Sequence, residues 1–583
     1  MAASSQSRGS SSRTAFNSFE VDEVGPRESS FSYQFPRLSR DQGAERNSMM
    51  DRVIIAVPEQ QRRGAGAKGF KAPKYNGKIK RWRGTLLLLL VVATATAAVV
   101  YFSVQSHNTS TKRWQDVQQR LADEKKIKSS TDDAPQKPKV DDEESDDGLI
   151  NNPKVYNKMG CELPNYVSKG GKIWAVSKNG TEVPISIKGV NWFGMETGMR
   201  APFGLWDNEQ NGTTVYEIAS FLKKNKFNSV RLPLAVQNIL ENKPHEANII
   251  NRVTNRALDM SSYVSLVQTI VKALGYRSVS VMFSMHQLDY MNAAGSLWYG
   301  TKDPNFTEDT FFKAIDMLTE AMCSDEYWNI LGIDVKNEPF EGSWGTGERN
   351  DFKIGAEKIA ARMLKGCPKW MGFVEGINGR HSITFDGQEL TYTDWYGGGL
   401  QAAGQFPPKF SIDNKLVYAP HYYTPAVFPQ YYLFGGGKVT GSKNAISGYK
   451  ELSTPVLHDR IKGTMNDMFG YLIKDKGPAV LLGEFAGLYT KDAHPEKTTQ
   501  RCTESTVRLI VEEGYAGGYM WSLNPESAYE YNPVDSYGHY VEGLLMGDWR
   551  HVNEPFLKVM EGLDKLPDLK PMPCFPIETP LNK

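Results

Sequence analysis

Two glutamates in this chain have the residue type and setting to act as a pair on one substrate. Glu338 lies in an Asn-Glu-Pro tripeptide, and Glu484 lies in a Gly-Glu-Phe tripeptide. Hydrolysis of a glycosidic bond needs two opposed carboxylates. One protonates the leaving oxygen, and in a retaining enzyme the other, about 5–5.5 Å away, attacks the anomeric carbon. An Asn-Glu-Pro tripeptide is also a common turn. The two glutamates therefore indicate a catalytic pair only together with the other residues of the candidate site.

Other polar residues could give the two glutamates different protonation states. Tyr423 and Arg231 could stabilise a charged Glu484 by a hydrogen bond and by charge. Glu338 would then stay protonated more easily, which is how two carboxyl groups of one site acquire different roles. The structural alternative for Arg231 is an ion pair in the core.

Four more residues complete the candidate site. Asn337 could reach a sugar 2-hydroxyl, and Trp521 offers a flat apolar face for a pyranose ring. His286 and His421 are the candidate histidines. The alternatives are ordinary packing for Trp521 and a structural, hydrogen-bonded role for either histidine.

The elements that must position these residues alternate between short apolar runs and longer amphipathic stretches. The predicted strands are residues 185–192, 229–234, 278–286, 330–337, 371–376, 416–423, 479–486 and 517–524. The predicted helices between them include residues 213–224, 260–274, 308–323, 351–364 and 499–513. Eight apolar strands alternating with helices indicate a parallel sheet covered on both faces, closed as a (β/α)8 barrel. No Gly-x-Gly-x-x-Gly follows the first strand, which weakens a dinucleotide-binding interpretation.

Polar groups gather at the carboxyl ends of these strands, where barrels of this type carry their chemistry. Their joint order resembles glycoside hydrolase family 5. The motifs that carry the resemblance are Gly189 to Glu196, Arg231-Leu232-Pro233, His286, Asn337-Glu338-Pro339, His421-Tyr422-Tyr423, Gly483-Glu484-Phe485 and Trp521. The resemblance covers most of the chain from residue 156 to the C-terminus.

The resemblance implies roles for individual residues and a substrate class. It implies Glu338 as acid/base, Glu484 as nucleophile, retention of configuration, and no cofactor. The first motif, the stretch from His421 to Tyr432 and the Trp-Gly-Thr-Gly at Trp344 are most similar to endo-β-1,4-glucanases. Mannanases and β-1,3-glucanases remain alternatives, and so does a non-catalytic membrane receptor for glycans.

Aromatic residues in the connecting segments provide a further expectation. They could extend a sugar-binding cleft or simply pack, and they are Trp298, Tyr299, Trp344, Trp395 and Tyr396.

The N-terminal part of the chain predicts a membrane tether. Residues 85–104 form a twenty-residue run without charge, the length of a membrane-crossing helix. Residues 1–84 carry 16 Lys and Arg against 8 Asp and Glu, and have the composition of a disordered tail. Residues 105–155, with an acidic run from Asp141 to Asp147, are typical of a solvated stalk. Residues 156–583 would form the catalytic domain.

The charges that flank the run predict its orientation. Seven Lys and Arg without an acid lie between residues 68 and 83, so the positive-inside rule places the N-terminus in the cytoplasm. The catalytic domain of such a type II protein would be extracellular or lumenal. All Asn-x-Ser/Thr sequons agree, because they lie beyond the run at Asn108, Asn179, Asn211 and Asn305.

The five cysteines also lie beyond the run, where an oxidising compartment would pair them. Cys323 and Cys367 end the predicted helices after strands three and four, which suggests one bridge. Cys161 and Cys574 stand at the two ends of the domain and could close it, leaving Cys502 over. Sequence does not fix connectivity, so both pairs are hypotheses.

Overall charge and motifs exclude other classes. With 68 Lys and Arg against 67 Asp and Glu, the chain is neither a wholly basic nor a wholly acidic binder, and we expect no nucleic-acid partner. The nine histidines include no His-Glu-x-x-His, which disfavours a metalloenzyme. The expected partners are a β-glucan polysaccharide and, through the single span, a membrane.

Overall fold

The computed structural model describes Thr94 and residues 152–208, 210–245 and 249–577. The predicted tail, the predicted span apart from Thr94, and the stalk up to residue 151 lie outside the described residues. Within the described part of the chain, no helix combines the length and the apolar composition that a membrane crossing needs.

Eight parallel strands surround a central axis. They are β1 (Ile187–Asn191), β2 (Ser229–Ala235), β3 (Ser280–Gln287), β4 (Ile330–Asp334), β5 (Met371–Val374), β6 (Leu416–Tyr418 and His421–Tyr423), β7 (Ala479–Val480 and Leu482–Ala486) and β8 (Gly517–Trp521). Each strand pairs in parallel with its successor, and β8 pairs with β1. The sheet therefore curls round on itself in the manner of a (β/α)8 barrel, at the eight places that the sequence predicts.

Helices connect most successive strands. They are α1 (Val215–Lys224), α2 (Val236–Glu241), α3 (Tyr263–Tyr276), α4 (Glu308–Met322), α5 (Phe352–Gly366), α6 (Thr454–Met468), α7 (Thr498–Glu512) and α8 (Glu554–Met560). Side chains of Thr214, Ser262 and Thr307 cap the first turns of α1, α3 and α4. Every residue of β1, β2, β4 and β5 is buried, because the helices cover the outer face of the ring.

The connection between β5 and β6 departs from the helix-after-strand pattern. It forms an antiparallel hairpin of Arg380–Phe385 and Gln388–Thr393. Its two-residue turn, Asp386-Gly387, has positive φ at both positions, which is the turn that suits the twist of a hairpin. Ile383 and Phe385 alternate with exposed neighbours, so one face of the hairpin packs on the domain.

Smaller antiparallel elements cover the barrel's ends. The strands Asn165–Lys169, Lys172–Val176 and Glu182–Ile185 form a three-stranded sheet at the amino ends of β5 and β6, where Tyr166 N–H donates to Lys369 O. Two hairpins follow β6 and β8, namely Lys438–Thr440 with Ala445–Ser447 and Ala528–Tyr531 with Tyr537–Val541. The amino end is thus closed, and the chemistry lies at the opposite end.

Both predicted disulfides are confirmed. Cys161 is bonded to Cys574, which joins the start and end of the domain, and Cys323 is bonded to Cys367. The second pair links the residues that end α4 and α5, neighbouring helices on the barrel. Cys502 is free and buried in α7.

Candidate active site

All eight predicted site residues meet at the carboxyl end of the barrel. Arg231 lies within β2, His286 near the end of β3, and Trp521 is the last residue of β8. The remaining five lie in or just after the other strands: Asn337, Glu338, His421, Tyr423 and Glu484. Parallel strands share one polarity, so residues that are up to 290 positions apart in the chain come together here.

Arg231 is the electrostatic centre of the site. Its side chain is wholly buried, and six different residues accept hydrogen bonds from its guanidinium group. They are Glu484 Oε1, Asp334 Oδ2 (2.7 Å from Nη2), Asn337 Oδ1 (2.7 Å), Ser284 Oγ (2.9 Å), Asn191 Oδ1 (2.9 Å) and Glu375 Oε1 (3.2 Å). A planar fork with five N–H groups can satisfy so many acceptors, whereas a lysine ammonium has only three N–H donors.

Two donors hold the carboxyl group of Glu484. Arg231 donates to its Oε1, and the Tyr423 hydroxyl donates to its Oε2. The side chain of Glu484 is 4% exposed, so its charge needs these partners. Burial, followed by the Glu484 and Glu338 charges, raises the pKa of Tyr423 well above its usual value, so the phenol stays a donor.

Glu338 faces Glu484 across the mouth of the barrel. One carboxylate oxygen of Glu338, one of Glu484 and a ring nitrogen of His421 all lie within 4.8 Å of one another. The side chain of Glu338 is 19% exposed, which makes it the more accessible of the two glutamates. Burial is the largest influence on its pKa and raises it, while His421 opposes the rise. The raised pKa favours the protonated form of Glu338, which a catalytic acid needs.

The two histidines differ in charge state. Burial alone would lower the pKa of His421, but the surrounding carboxylates of Glu375, Glu484 and Glu338 outweigh it and raise that pKa well above the ordinary value. Burial lowers the pKa of His286 well below its usual value, and the positive charges of Arg231, Lys336 and His421 lower it further. His421 is thus a cation between carboxylates, and His286 is a neutral ring.

Trp521 forms one wall of the cleft. Its indole is partly buried and stacks with Phe193, at 5.5 Å between ring centroids, and with His286, at 6.0 Å. The interplanar angles of 10° and 13° hold the three rings nearly parallel. Such a fixed aromatic ring suits contact with the apolar face of a sugar.

Sequence reasoning missed two acidic residues of the site. Glu375 directly follows β5, and Asp334 is the last residue of β4; both are fully buried against Arg231. Burial and the neighbouring Glu375 raise the pKa of Asp334 to about 7, while Arg231 opposes the rise. The signal for Glu375 was present, because it is the polar residue at the carboxyl end of predicted strand five.

Two groups of side chains have the spacing of metal ligands. Asp334, Glu375 and His421 form one group, and Glu338, His421 and Glu484 form the other, each within 4.8 Å. The guanidinium of Arg231 already contacts three of these carboxylates, so the protein itself supplies a positive charge next to them. The expectation of no metal and no cofactor stays a prediction.

Of the two alternatives for the loop aromatics, the structure shows packing for four of the five residues. They are at most 7% exposed and pack in the core: Trp298, Tyr299, Trp344 and Trp395. Trp395 donates to the Tyr432 hydroxyl at 2.9 Å, and Trp298 packs on Phe352. Tyr396 remains partly exposed and stacks on Phe340, with ring centroids 4.5 Å apart.

Known proteins are similar to this chain in sequence and in fold. The Endoglucanase of Paenibacillus polymyxa is 26% identical over 395 residues, which cover 67% of this chain and 84% of that protein. The Major extracellular endoglucanase of Xanthomonas campestris pv. campestris is 27% identical over 381 residues, covering 65% of this chain and 68% of that protein. Among solved structures, a hyperthermophilic endocellulase of Pyrococcus horikoshii has a TM-score of 0.55 and 25% identity, covering 69% of this chain and 98% of that chain.

The sequence profile of the cellulase family, glycosyl hydrolase family 5, matches residues 176–527. That range contains all eight barrel strands and both glutamates. A match over more than half of the chain is too extensive to reflect a shared tripeptide. The chain therefore belongs to glycosyl hydrolase family 5, the cellulase family.

Proposed function

We propose that this protein is a retaining endo-β-1,4-glucanase in which Glu338 is the acid/base and Glu484 the nucleophile. The observation that carries the proposal is the approach of the two carboxylates to within 4.8 Å. An inverting enzyme keeps its carboxyl groups about 6.5–9.5 Å apart to admit a water molecule, whereas a retaining one holds them at about 5–5.5 Å. The spacing fits direct attack by a carboxylate.

In the first step, Glu484 attacks the anomeric carbon and a glycosyl ester forms. The bond from that carbon to the leaving sugar's oxygen breaks, and Glu338 gives its proton to this oxygen. In the second step, water attacks the anomeric carbon and loses a proton to Glu338, and Glu484 leaves as a carboxylate. Two displacements at one carbon retain its configuration.

The surrounding residues fit these roles. Arg231 and Tyr423 hold the carboxyl group of Glu484 by hydrogen bonds, while His421 contacts Glu338 through Nδ1 at 3.0 Å. Asn337 Oδ1 is bonded to Arg231, which leaves its amide N–H₂ group to meet a sugar hydroxyl. Trp521 would carry the sugar ring at the point of cleavage.

The β-1,4-glucan assignment is supported by the names of the relatives, which are endoglucanases and an endocellulase. Mannanases and β-1,3-glucanases would use the same two carboxylates with different sugar subsites. A glycan receptor without activity would have no need of two opposed carboxylates with separate hydrogen-bonding partners.

The test is a substrate panel with the purified full-length chain. We expect release of reducing ends from carboxymethyl-cellulose well above that from mannan or laminarin, and a fall in solution viscosity early in the reaction, as internal cleavage requires. Glu484→Gln should abolish turnover. Binding of cellulose without turnover of any of these polysaccharides would favour the receptor, and preferred turnover of mannan would move the assignment to that class.

We also propose that residues 85–104 anchor the protein as a type II membrane protein with its catalytic domain outside the cytoplasm. The uncharged run supports the anchor, and the bonded pairs Cys161–Cys574 and Cys323–Cys367 fit an oxidising compartment. The sequon asparagines Asn179 and Asn305 are exposed on the domain.

Expression of the full chain in eukaryotic cells tests the anchor. Alkaline carbonate should leave the protein in the membrane pellet, and removal of N-glycans should increase its gel mobility. Asn305→Gln should abolish part of that mobility change. A protein that carbonate extracts, and whose mobility the glycosidase does not alter, would contradict the topology.

A further inference from the structure

Glu375 contacts three groups of the site, namely the backbone of Glu338 and the side chains of His421 and Arg231. It follows β5 directly and is fully buried, with no exposed side-chain surface. Its Oε2 accepts the backbone N–H of Glu338 at 2.8 Å. Its Oε1 lies 3.0 Å from His421 Nε2 and 3.2 Å from Arg231 Nη2. No sugar-binding role follows from this position, because the Glu375 side chain has no exposed surface.

The backbone of Glu338 has an unusual conformation. Its φ is +42°, in the left-handed region that residues with a side chain rarely adopt. Such a conformation persists only when surrounding groups hold it in place. The hydrogen bond from Glu338 N–H to Glu375 fixes the peptide group that begins this residue, and so the direction in which the carboxyl group leaves the backbone.

The side chain of Glu338 is connected to the same carboxylate by another route. His421 Nδ1 lies 3.0 Å from Glu338 Oε1, and His421 Nε2 lies 3.0 Å from Glu375 Oε1. The imidazole therefore lies between the two carboxyl groups, with Nδ1 hydrogen-bonded to Glu338 and Nε2 in ion-pair contact with Glu375. The hydrogen bond to the backbone and the imidazole beside the side chain together define where the carboxyl group of Glu338 can sit.

We propose that Glu375 is a positioning residue that holds the catalytic acid Glu338 in place, through the Glu338 backbone N–H and through His421. The inference rests on the proposed acid role of Glu338. Glu375 itself transfers no proton to substrate. Its loss should impair the step that needs a correctly placed proton and spare the attack of Glu484 on the anomeric carbon.

Aryl β-cellobiosides separate these two effects. A dinitrophenolate leaves without protonation, whereas an unsubstituted phenol must receive a proton as it departs, so only the second substrate depends on the acid. The value of kcat/KM reports bond cleavage for both. For Glu375→Gln we expect about a 100-fold loss of kcat/KM on phenyl cellobioside, the scale of a misplaced catalytic group, and little change on the dinitrophenyl substrate.

Two variants serve as references in the full-length chain. Glu338→Gln removes the acid itself and should show the same leaving-group dependence, more strongly. Glu542→Gln makes the same chemical change at another buried glutamate, whose Oε2 accepts the backbone N–H of Tyr489 at 2.9 Å. It should lower the melting temperature without any leaving-group dependence.

Equal losses on both substrates for Glu375→Gln, or no loss on either, would overturn the positioning role. If Glu338→Gln shows the dependence and Glu375→Gln does not, only the positioning role fails. If Glu338→Gln lacks it, the acid assignment fails and the inference falls with it. Should Glu375→Gln not fold, Glu375→Asp carries the same test, because it keeps the charge but shortens the reach by one methylene. Loss confined to the phenyl substrate supports the proposal, and equal losses refute it.

Discussion

Replacement of Arg231 by methionine should destabilise the protein in a pH-dependent way. Arg231 contacts the buried carboxylates of Glu484, Asp334 and Glu375, and their side chains are at most 4% exposed. Arg231→Met would leave these charges without their shared cation. Removing one partner of a buried ion pair costs about 3–5 kcal/mol, and this sets the expected loss at pH about 8.

The sign of the pH dependence follows from the carboxyl groups. Arg231 lowers the pKa of Asp334 against burial and Glu375, which raise it to about 7. Without Arg231 the folded-state pKa of Asp334 rises further. A carboxyl group whose pKa is higher in the folded than in the unfolded state does not lower the free energy of unfolding at pH values below its unfolded-state pKa. It lowers that free energy progressively as pH rises through the folded-state pKa. The deficit of Arg231→Met should therefore be small near pH about 4.5 and largest near pH about 8.

Urea unfolding followed by tryptophan fluorescence at both pH values measures this deficit against the wild-type chain. Arg231→Lys is the matched control, since it keeps the positive charge while losing the planar fork, and its deficit should vary less with pH. An equal deficit of Arg231→Met at both pH values would refute the electrostatic account and leave only lost packing as the cause.

Three further predictions test other parts of the site. Tyr423→Phe loses a hydrogen bond to a charged Glu484, worth about 1.5–3 kcal/mol, so kcat on aryl cellobiosides should fall about 10–100-fold with the fold retained; an unchanged kcat would contradict that contact. Burial raises the pKa of Glu196 from 4.5 to about 7, although Gly194 N–H donates to its carboxylate. Ionisation of Glu196 therefore lowers the free energy of unfolding by about 3 kcal/mol as pH rises from 4.5 through about 7. Glu196→Gln should thus be more stable than wild type at pH about 8 and not at pH about 4.5, and a gain that is the same at both values would be inconsistent with the buried carboxyl. Trp521→Ala in a Glu338→Gln background should weaken cellotetraose binding by about 0.5–1.5 kcal/mol in calorimetry, and undiminished affinity would remove Trp521 from the cleft.

Much of the barrel could be predicted because each strand is a short apolar run that ends in a polar residue. This rule located Glu338 after β4 and Glu484 in β7, and the structure brings them together at one mouth. The bridge between Cys323 and Cys367 was predictable for a related reason, since successive helices of a barrel are neighbours.

The rest depends on tertiary contacts that leave no local pattern. The connection at 380–393 forms a hairpin because it packs one alternating face on the domain. Glu375 has the local signal of a polar residue after an apolar strand, but its contacts with Glu338 N–H and His421, which are distant in sequence, could not be predicted. The aromatic rings at Trp298 and Trp395 are indistinguishable from cleft residues until their burial is known.

The most direct test of the central claim is to trap the glycosyl-enzyme with a dinitrophenyl 2-deoxy-2-fluoro-β-cellobioside. The fluorine slows both displacements, and the activated leaving group restores only the first, so the ester accumulates. Mass spectrometry of the proteolysed enzyme should find the sugar on the peptide that contains Glu484, and fragmentation should place it on that side chain. A label on any other residue, or turnover of polysaccharide by an enzyme that never accumulates the ester, would contradict the two-carboxylate retaining mechanism.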